Sequence, residues 1–302
     1  MTVDGITSFT WFNPTKIVYG AGSISTLGGA VSGISGESAR VLLVTGREHL
    51  RSTGLLEKIV EDIGPEQVTL FDKVGPYPSP TLVEEAVGVC RSSSSELVVA
   101  VGGGSALDLG KAVAVLSCQS GSSREYVYGE RKLSQKGLPF IAVPTTSGSS
   151  SEVTSGAALW DMENKALYPM SHPIMFPDVA IVDPQLSMSM GQRLTAVTGM
   201  DAFTSAFESY WSTESGPLSD TLDLRVIGAF SDHLENSTIR GDFESRSVCA
   251  LAATMSGIAY SNSRPNVCHR IGSPLTLYWG IAHGQAVGVS LSAFLRWNAP
   301  AI

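Results

Sequence analysis

Residues 96–104 read ELVVAVGGG: an unbroken apolar run that passes directly into three glycines. A short apolar run bounded by turn residues is the signature of a buried strand. The chain repeats this pattern in RVLLVT (40–45), VTLFD (68–72), LPFIAVPTT (138–146) and VAIVDP (179–184). Helical spacing fills the gaps, over Leu55–Ile63, residues 80–95 and residues 105–117. The second of these opens at Pro80 and Thr81 with Glu84 and Glu85 in its early turns, where acids suit the helix dipole. Strands alternating with helices predict an α/β domain built on a parallel sheet covered by helices. Near residue 185 the character changes. LTAVTGMDAFTSAFESYW, SDTLDLRVIGAFSDHLE and SRSVCALAATMSGIAYSNS all carry helical spacing. The expectation is an α/β domain over 1–185 followed by an all-α domain over 186–302, and 302 residues suit two domains of ordinary size.

Composition narrows the function classes. A hydrophobic fraction of 43% with 16% charged residues supports a sizeable core. The net charge of -8 argues against a nucleic-acid partner, which would call for a basic face. No run of about 18 apolar residues predicts a membrane span, and the opening MTVDGITSFTWF lacks a secretory layout. Cys90, Cys118, Cys249 and Cys268 form no CxxC pair, which reads as reduced thiols in a cytoplasm. The expected partner is a small molecule.

Two constellations carry chemistry. In the first, Gly102, Gly103 and Gly104 allow a tight turn after the strand and close backbone approach. Ser105 is read as the helix cap, with Asp108 completing a capping-box pattern. Exposed N–H groups at such a helix start bind phosphate. A ligand-free turn would also fit, but three glycines exceed what it needs. The motif is neither GxGxxG nor GxxxxGK[ST], so by itself it indicates an anion and not a dinucleotide. A second loop, Pro144 to Glu152, follows another strand. There Ser149 and Glu152 match a capping box and the hydroxyls suit a ribose or pyrophosphate, although a polar turn explains them equally well. Two such loops suit a crevice at the carboxyl ends of a parallel sheet.

In the second constellation, Thr198 is read as an N-cap, with Asp201 in the first helical turn and Ser205 and Glu208 on the same face. Alone, Asp201 reads as a capping acid. His269 and His283 are too far apart for one helical face, with Pro274 between them, and each alone reads as a core histidine. Together, two histidines and an acid suit a divalent metal with open positions.

These motifs resemble those of the iron-containing (group III) alcohol dehydrogenases, of dehydroquinate-synthase-like fold. The resemblance runs over essentially the whole chain. It rests on Asn13 to Ser23, Gly102 to Lys111, Pro144 to Glu152, Asp183-Pro184, Thr198 to Asp201 and His283-Gly284, in that order. It implies an N-terminal Rossmann-like domain binding NAD or NADP, a helical C-terminal domain, and a catalytic Fe²⁺ or Zn²⁺ between them. Gly103, Gly104, Ser105 and Asp108 would contact pyrophosphate and nicotinamide ribose. Thr145, Thr146 and Ser149 would line the same cofactor, with Gly46 and Lys165 among its contacts. Asp201, His269 and His283 match metal-ligand positions and form the catalytic set. The metal would polarise the substrate oxygen and the nicotinamide would carry the hydride. Relatives of this kind are often dimers or larger, so a homo-oligomer, a dimer, is expected.

The chain departs from the family pattern at three places. Ser205 stands where a ligand histidine is usual, leaving three protein ligands. Ser273 replaces a histidine often given a proton-relay role. The chain stops at Ile302, where family members continue for several helices, implying a truncated helical domain whose apolar surface needs a partner to cover it. A narrower resemblance, in Glu208 to Ser212, Pro274 to Thr276 and Val44 to Arg47, points to the phosphonoacetaldehyde reductase branch, which makes 2-hydroxyethylphosphonate. Arg264 and Arg270 flank His269 and suit an anionic phosphonate, unless both sit on solvated loops. Many relatives place an aspartate after the second strand, favouring NAD. Here Gly46 and Arg47 remove the repulsion against a 2′-phosphate, so NADP is expected to be accepted at least as well as NAD. Two alternatives stand beside metal-assisted aldehyde reduction: metal-independent chemistry on the same fold, and a non-catalytic NAD(P)-binding relative.

Overall fold

The computed structural model describes residues 9–301. The chain divides into two compact units: residues 14–146 with 151–187, and residues 9–13 and 147–150 with 188–301.

The first unit is α/β. Its six-stranded sheet runs in the order β1 (Lys16–Tyr19), β8 (Val179–Val182), β5 (Phe140–Pro144), β4 (Leu97–Gly102), β2 (Val41–Gly46) and β3 (Val68–Val74), with every pairing parallel. β4 and β5 are buried at every position. That is why they read as continuous apolar runs: helices cover both faces of a parallel sheet. Side chains alternate between the faces with the period of two that a strand imposes. Leu42, Val44, Val98 and Ala100 pack with α4 (Pro80–Ser92) and α5 (Gly104–Leu116). Val41, Leu43, Val99 and Val101 pack with α1 (Leu27–Ser35) and α3 (Leu55–Ile63). α2 (His49–Ser52) and α6 (Ser123–Val127) are short connectors. α4 begins where Ser79 accepts the N–H of Leu82 at 3.1 Å, with Pro80 in the first turn.

The connection leaving β2 runs to β3 on one side, while that leaving β4 runs to β5 on the other. The strand order therefore reverses between β2 and β4, and their carboxyl ends, at Gly46 and Gly102, flank a switch point suited to a ligand. An antiparallel hairpin, β6 (Gly156–Asp161) with β7 (Ala166–Ser171), is a further element of this unit that the sequence reading did not anticipate. Its strands are short and β7 contains Pro169. The turn is local: the N–H of Asn164 donates to Asp161 Oδ1 at 2.8 Å, and Lys165 takes a φ of 57°.

The second unit is helical. It contains α7 (Gln192–Tyr210), α8 (Pro217–Ile239), α9 (Phe243–Ser263), α10 (Val267–Trp279) and α11 (His283–Asn298). Ala202 and Ala206 of α7 meet Val226 and Phe230 of α8 and Cys249, Ala252 and Ala253 of α9. These small side chains put the opposite, polar face of α7 at the disposal of a site. Asp242 caps α9 by accepting the N–H of Ser245 at 2.8 Å. Pro274 does not end α10, which runs through it. The proline only removes the N–H that would reach back one turn. Among the described residues no helix is long and apolar enough to cross a membrane.

Candidate active site

α7 begins at Gln192 with Gly191 as its N-cap, because the stretch before Thr198 contains no helix breaker. Thr198 is therefore inside the helix, where its hydroxyl donates to the Leu194 carbonyl at 2.9 Å. The expected cap at Thr198 is corrected, and Asp201 is not a first-turn capping acid. Its carboxylate is left for another purpose. His269 lies in the first turn of α10, which Asn266 caps through a hydrogen bond from the Val267 N–H at 2.7 Å. His283 is the first residue of α11. Gly284 makes this last position possible: a Cβ there would stand 1.8 Å from the Val197 carbonyl oxygen and 3.1 Å from Asp201 Cβ. The first turn of α11 thus rests directly on the backbone of α7.

The result brings together three groups remote in sequence. One ligand atom each from Asp201, His269 and His283 lies within 4.8 Å of the others. His269 Nε2 is 3.3 Å from Asp201 Oδ1, and the two imidazoles meet edge to face with centroids 5.5 Å apart. Burial opposes ionisation of Asp201, but the hydrogen bond from His269 and both histidines hold its pKa below the usual value. Burial lowers the pKa of His283, against the charges of Asp201 and Glu208. Burial also works against a proton on His269, yet the hydrogen bonds and charges of Asp201 and Glu208 outweigh it and raise the pKa to about 9. A carboxylate with two histidine rings is the facial donor set that divalent iron and zinc accept once the metal displaces the second proton of His269, so these residues fit such a metal. Ser205 Oγ is 3.4 Å from His269 Nε2, within the cluster but without a nitrogen to offer. Ser273 donates its hydroxyl to the His269 carbonyl at 3.0 Å, one turn back along its own helix.

Glu208 adds a contact that the sequence placed on the right face without a role. Its carboxylate is fully buried and accepts from His269 Nδ1 and from the backbone N–H of Cys268. The signal was the seven-residue spacing from Asp201, which keeps both acids on one side of α7.

In the α/β unit, α5 follows the end of β4 directly, and the N–H groups of Ala106 and Leu107 already donate to the Gly103 carbonyl. Gly103, not Ser105, is the N-cap. The capping box expected from Ser105 and Asp108 is therefore corrected, since the cap lies two residues earlier and Asp108 falls past the first turn. Ser105 Oγ accepts the N–H of Tyr77 at 3.2 Å, with Tyr77 held at a φ of 61° and stacked edge-on against Trp160. Asp108 accepts from Ser151 Oγ at 2.5 Å and from the Ala158 N–H at 2.9 Å. Beneath it, the buried Lys111 donates to Ser151 Oγ at 2.9 Å, Thr154 Oγ1 at 3.2 Å and the Gly156 carbonyl at 2.6 Å. Burial lowers its pKa to about 8 against the charges of Asp108 and Glu152. This polar post ties α5 to the segment after β5. Thr145 donates its N–H to the Gly102 carbonyl at 2.9 Å, and a Cβ on Gly103 would crowd Thr146 Cγ2 at 3.2 Å. The glycine turn after β4 and the threonines after β5 thus lie against one another at the carboxyl ends of their strands.

The remaining expected positions are more dispersed. The capping box of Ser149 and Glu152 does not form: the segment makes only a three-residue 3₁₀ turn, Ser151–Val153, and Glu152 is buried. Ser149 belongs to the helical unit, where its carbonyl accepts from Tyr260 at 2.6 Å. Gly46 closes β2 and Arg47 after it is exposed. Lys165 is exposed at the tip of the β6–β7 hairpin. Arg264 is exposed and pairs with Glu214 at 3.7 Å, and Arg270 is exposed beside His269 on α10.

Residues 14–184 match the model of the iron-containing alcohol dehydrogenase family, and residues 195–302 match that of its C-terminal domain. The chain belongs to the iron-containing alcohol dehydrogenase family. This is a family of oxidoreductases acting with NAD or NADP. The chain is 38% identical to long-chain-alcohol dehydrogenase 1 of Geobacillus thermodenitrificans over 258 residues, 84% of this chain and 65% of that one. It is 31% identical to the NADPH-dependent butanol dehydrogenase of Clostridium saccharobutylicum, over 95% of this chain and 73% of the relative. Its fold matches that of sulfoacetaldehyde reductase from Bifidobacterium kashiwanohense, solved in complex with NAD⁺, with a TM-score of 0.90 and 30% identity, covering 96% of this chain and 77% of the other. Among these iron-containing alcohol dehydrogenases the expected fold, a parallel α/β unit followed by a helical one, is the shared one.

Proposed function

We propose that this chain reduces a small aldehyde to its alcohol, and runs the reverse oxidation, with NAD(P) and a divalent metal. The observation that carries the reading is the convergence of Asp201, His269 and His283, three donors from three helices, within 4.8 Å. A bound Fe²⁺ or Zn²⁺ supplies Lewis-acid polarisation of the carbonyl oxygen, and a bound nicotinamide supplies the hydride. Asp201, His269 and His283 hold the metal. Gly103, Gly104 and Ser105 hold the pyrophosphate on the α5 N-terminus, and Thr145 and Thr146 orient the ribose. Ser273 has its hydroxyl proton committed to a carbonyl, so in this reading the product draws its hydroxyl proton from solvent.

The substrate we favour is a two-carbon aldehyde bearing an anion, phosphonoacetaldehyde among them. Likeness to a sulfoacetaldehyde reductase supports this, as do the exposed guanidiniums of Arg264 and Arg270 on either side of His269 in the chain. Arg47 after β2 supports use of NADP at least as well as NAD.

The test is aldehyde-dependent oxidation of NADPH and NADH by protein reloaded with Fe²⁺ or Zn²⁺. Turnover that a chelator abolishes and either metal restores is the expected result. Silence across a broad aldehyde panel would refute the reading. The two serines favour a second reading, cofactor-linked chemistry or NAD(P) binding without a metal, because neither replaces a nitrogen donor. Elemental analysis separates the two: a metal-free active preparation decides for the second.

A further inference from the structure

We propose that Glu208 is the positioning residue of the metal site, fixing the His269 ring so that Nε2, and not Nδ1, faces Asp201 and His283. The inference rests on the metal reading above. A histidine presents two nitrogens on different sides of its ring, and the group bonded to one of them decides which carries the proton and which is left to bind. Glu208 is fully buried, and its two carboxylate oxygens meet donors from consecutive residues: Cys268 through its backbone N–H and His269 through Nδ1. A carboxylate this deep is tolerated only when hydrogen-bonded, so the two donors hold it as firmly as it holds them. With Nδ1 engaged on one side, Nε2 is directed at Asp201 Oδ1, 3.3 Å away.

The backbone supports the same arrangement. Residues 264–266 connect α9 to α10 and include Arg264 at a φ of 65°, a conformation that side-chain-bearing residues rarely adopt. Such a conformation persists where its surroundings over-determine it. The end of α7 provides those surroundings: Asn266 Nδ2 donates to the Glu208 carbonyl at 3.2 Å, Trp211 Nε1 donates to Asn266 Oδ1 at 3.1 Å, and Ser212 Oγ donates to the Ser263 carbonyl at 2.7 Å. One helix therefore presents the first metal donor at Asp201 and, seven residues on, the group that aims the second.

The test uses the full chain with ¹⁵N-labelled histidines, of which there are only five, loaded with Zn²⁺. In the wild type His269 is expected to keep its proton on Nδ1 and bind zinc through Nε2. In E208Q, an amide that keeps its oxygen on the Cys268 N–H turns its NH₂ towards Nδ1 and drives the ring proton to Nε2. Zinc affinity, measured against a chromophoric chelator, is then expected to fall roughly 10- to 100-fold, with partial recovery in E208D. Zinc on Nδ1 of His269 in the wild type overturns the proposal without any variant, so the test holds even where E208Q does not fold. Wild-type zinc affinity in folded E208Q overturns it while leaving the metal reading intact. A wild type that binds no zinc and no iron removes both.

Discussion

Lys111 and Asp223 show how differently two buried ionisable groups are accommodated. Lys111 is held by three acceptors and stands near Asp108 and Glu152. K111M would leave the Gly156 carbonyl without its donor and remove the cation beside Asp108 and Glu152, and breaking a buried charged network of this kind costs roughly 3 to 5 kcal/mol. The urea midpoint is expected to drop accordingly, and an unchanged midpoint would remove Lys111 from this account. Asp223 on α8 has one oxygen bonded to Ser209 and the other without a hydrogen-bond partner among the described residues. Burial, with a smaller contribution from Asp220 against the Ser209 hydrogen bond, raises its pKa to about 8. The folded state therefore favours the protonated acid. That contribution is complete below the unfolded value of about 4 and is lost as pH rises through about 8. D223N, which cannot ionise, is expected to gain on the wild type across this window by at most about 1.4 kcal/mol per pH unit, and then to run parallel. Stability curves that stay parallel throughout would contradict the assignment.

At the level of elements, the proposed metal donors depend on how α11 meets α7. Gly284 lies where no side chain fits, 1.8 Å from the Val197 carbonyl oxygen for an added Cβ. G284A must push the two helices apart, and overpacking of this kind costs typically about 1 to 3 kcal/mol. His283 moves with it, so metal stoichiometry is expected to fall along with the melting temperature. A G284A protein retaining full metal content would show that the contact is not what sets the site. The serines at 205 and 273 are a matter of the same scale. Each keeps its helix intact, and the second turns its hydroxyl into the helix itself.

For the whole molecule, a ligand that binds only the folded state stabilises it in proportion to its occupancy. At a free concentration about 100 times Kd this amounts to about 2.7 kcal/mol. Saturating Zn²⁺ and saturating NADP⁺ are each expected to raise the melting temperature, and a chelator to reverse only the first shift. No response to NADP⁺ or NAD⁺ would rule out the cradle at Gly102 to Lys111 as a dinucleotide site.

The sequence by itself determined the sheet and the glycine turn that ends β4. LVVAV, FIAV and VLLV are apolar throughout because strands covered on both faces meet no water, and three glycines at the end of β4 declare where the backbone turns. Helical spacing put Asp201, Ser205 and Glu208 on one face of α7 for the same local reason. Tertiary structure alone decided the rest. The hairpin of β6 and β7 carried too short an alternation to be read; the cap expected at Ser105 moved two residues, to Gly103, and that expected at Thr198 moved two turns, to Gly191. His269 and His283 lie on separate helices, so no periodicity relates them; only the packing of α10 and α11 against α7 brings their rings within reach of Asp201. Glu208 acquired its partner in the same way, since a buried carboxylate has meaning only once the donors that surround it are in place.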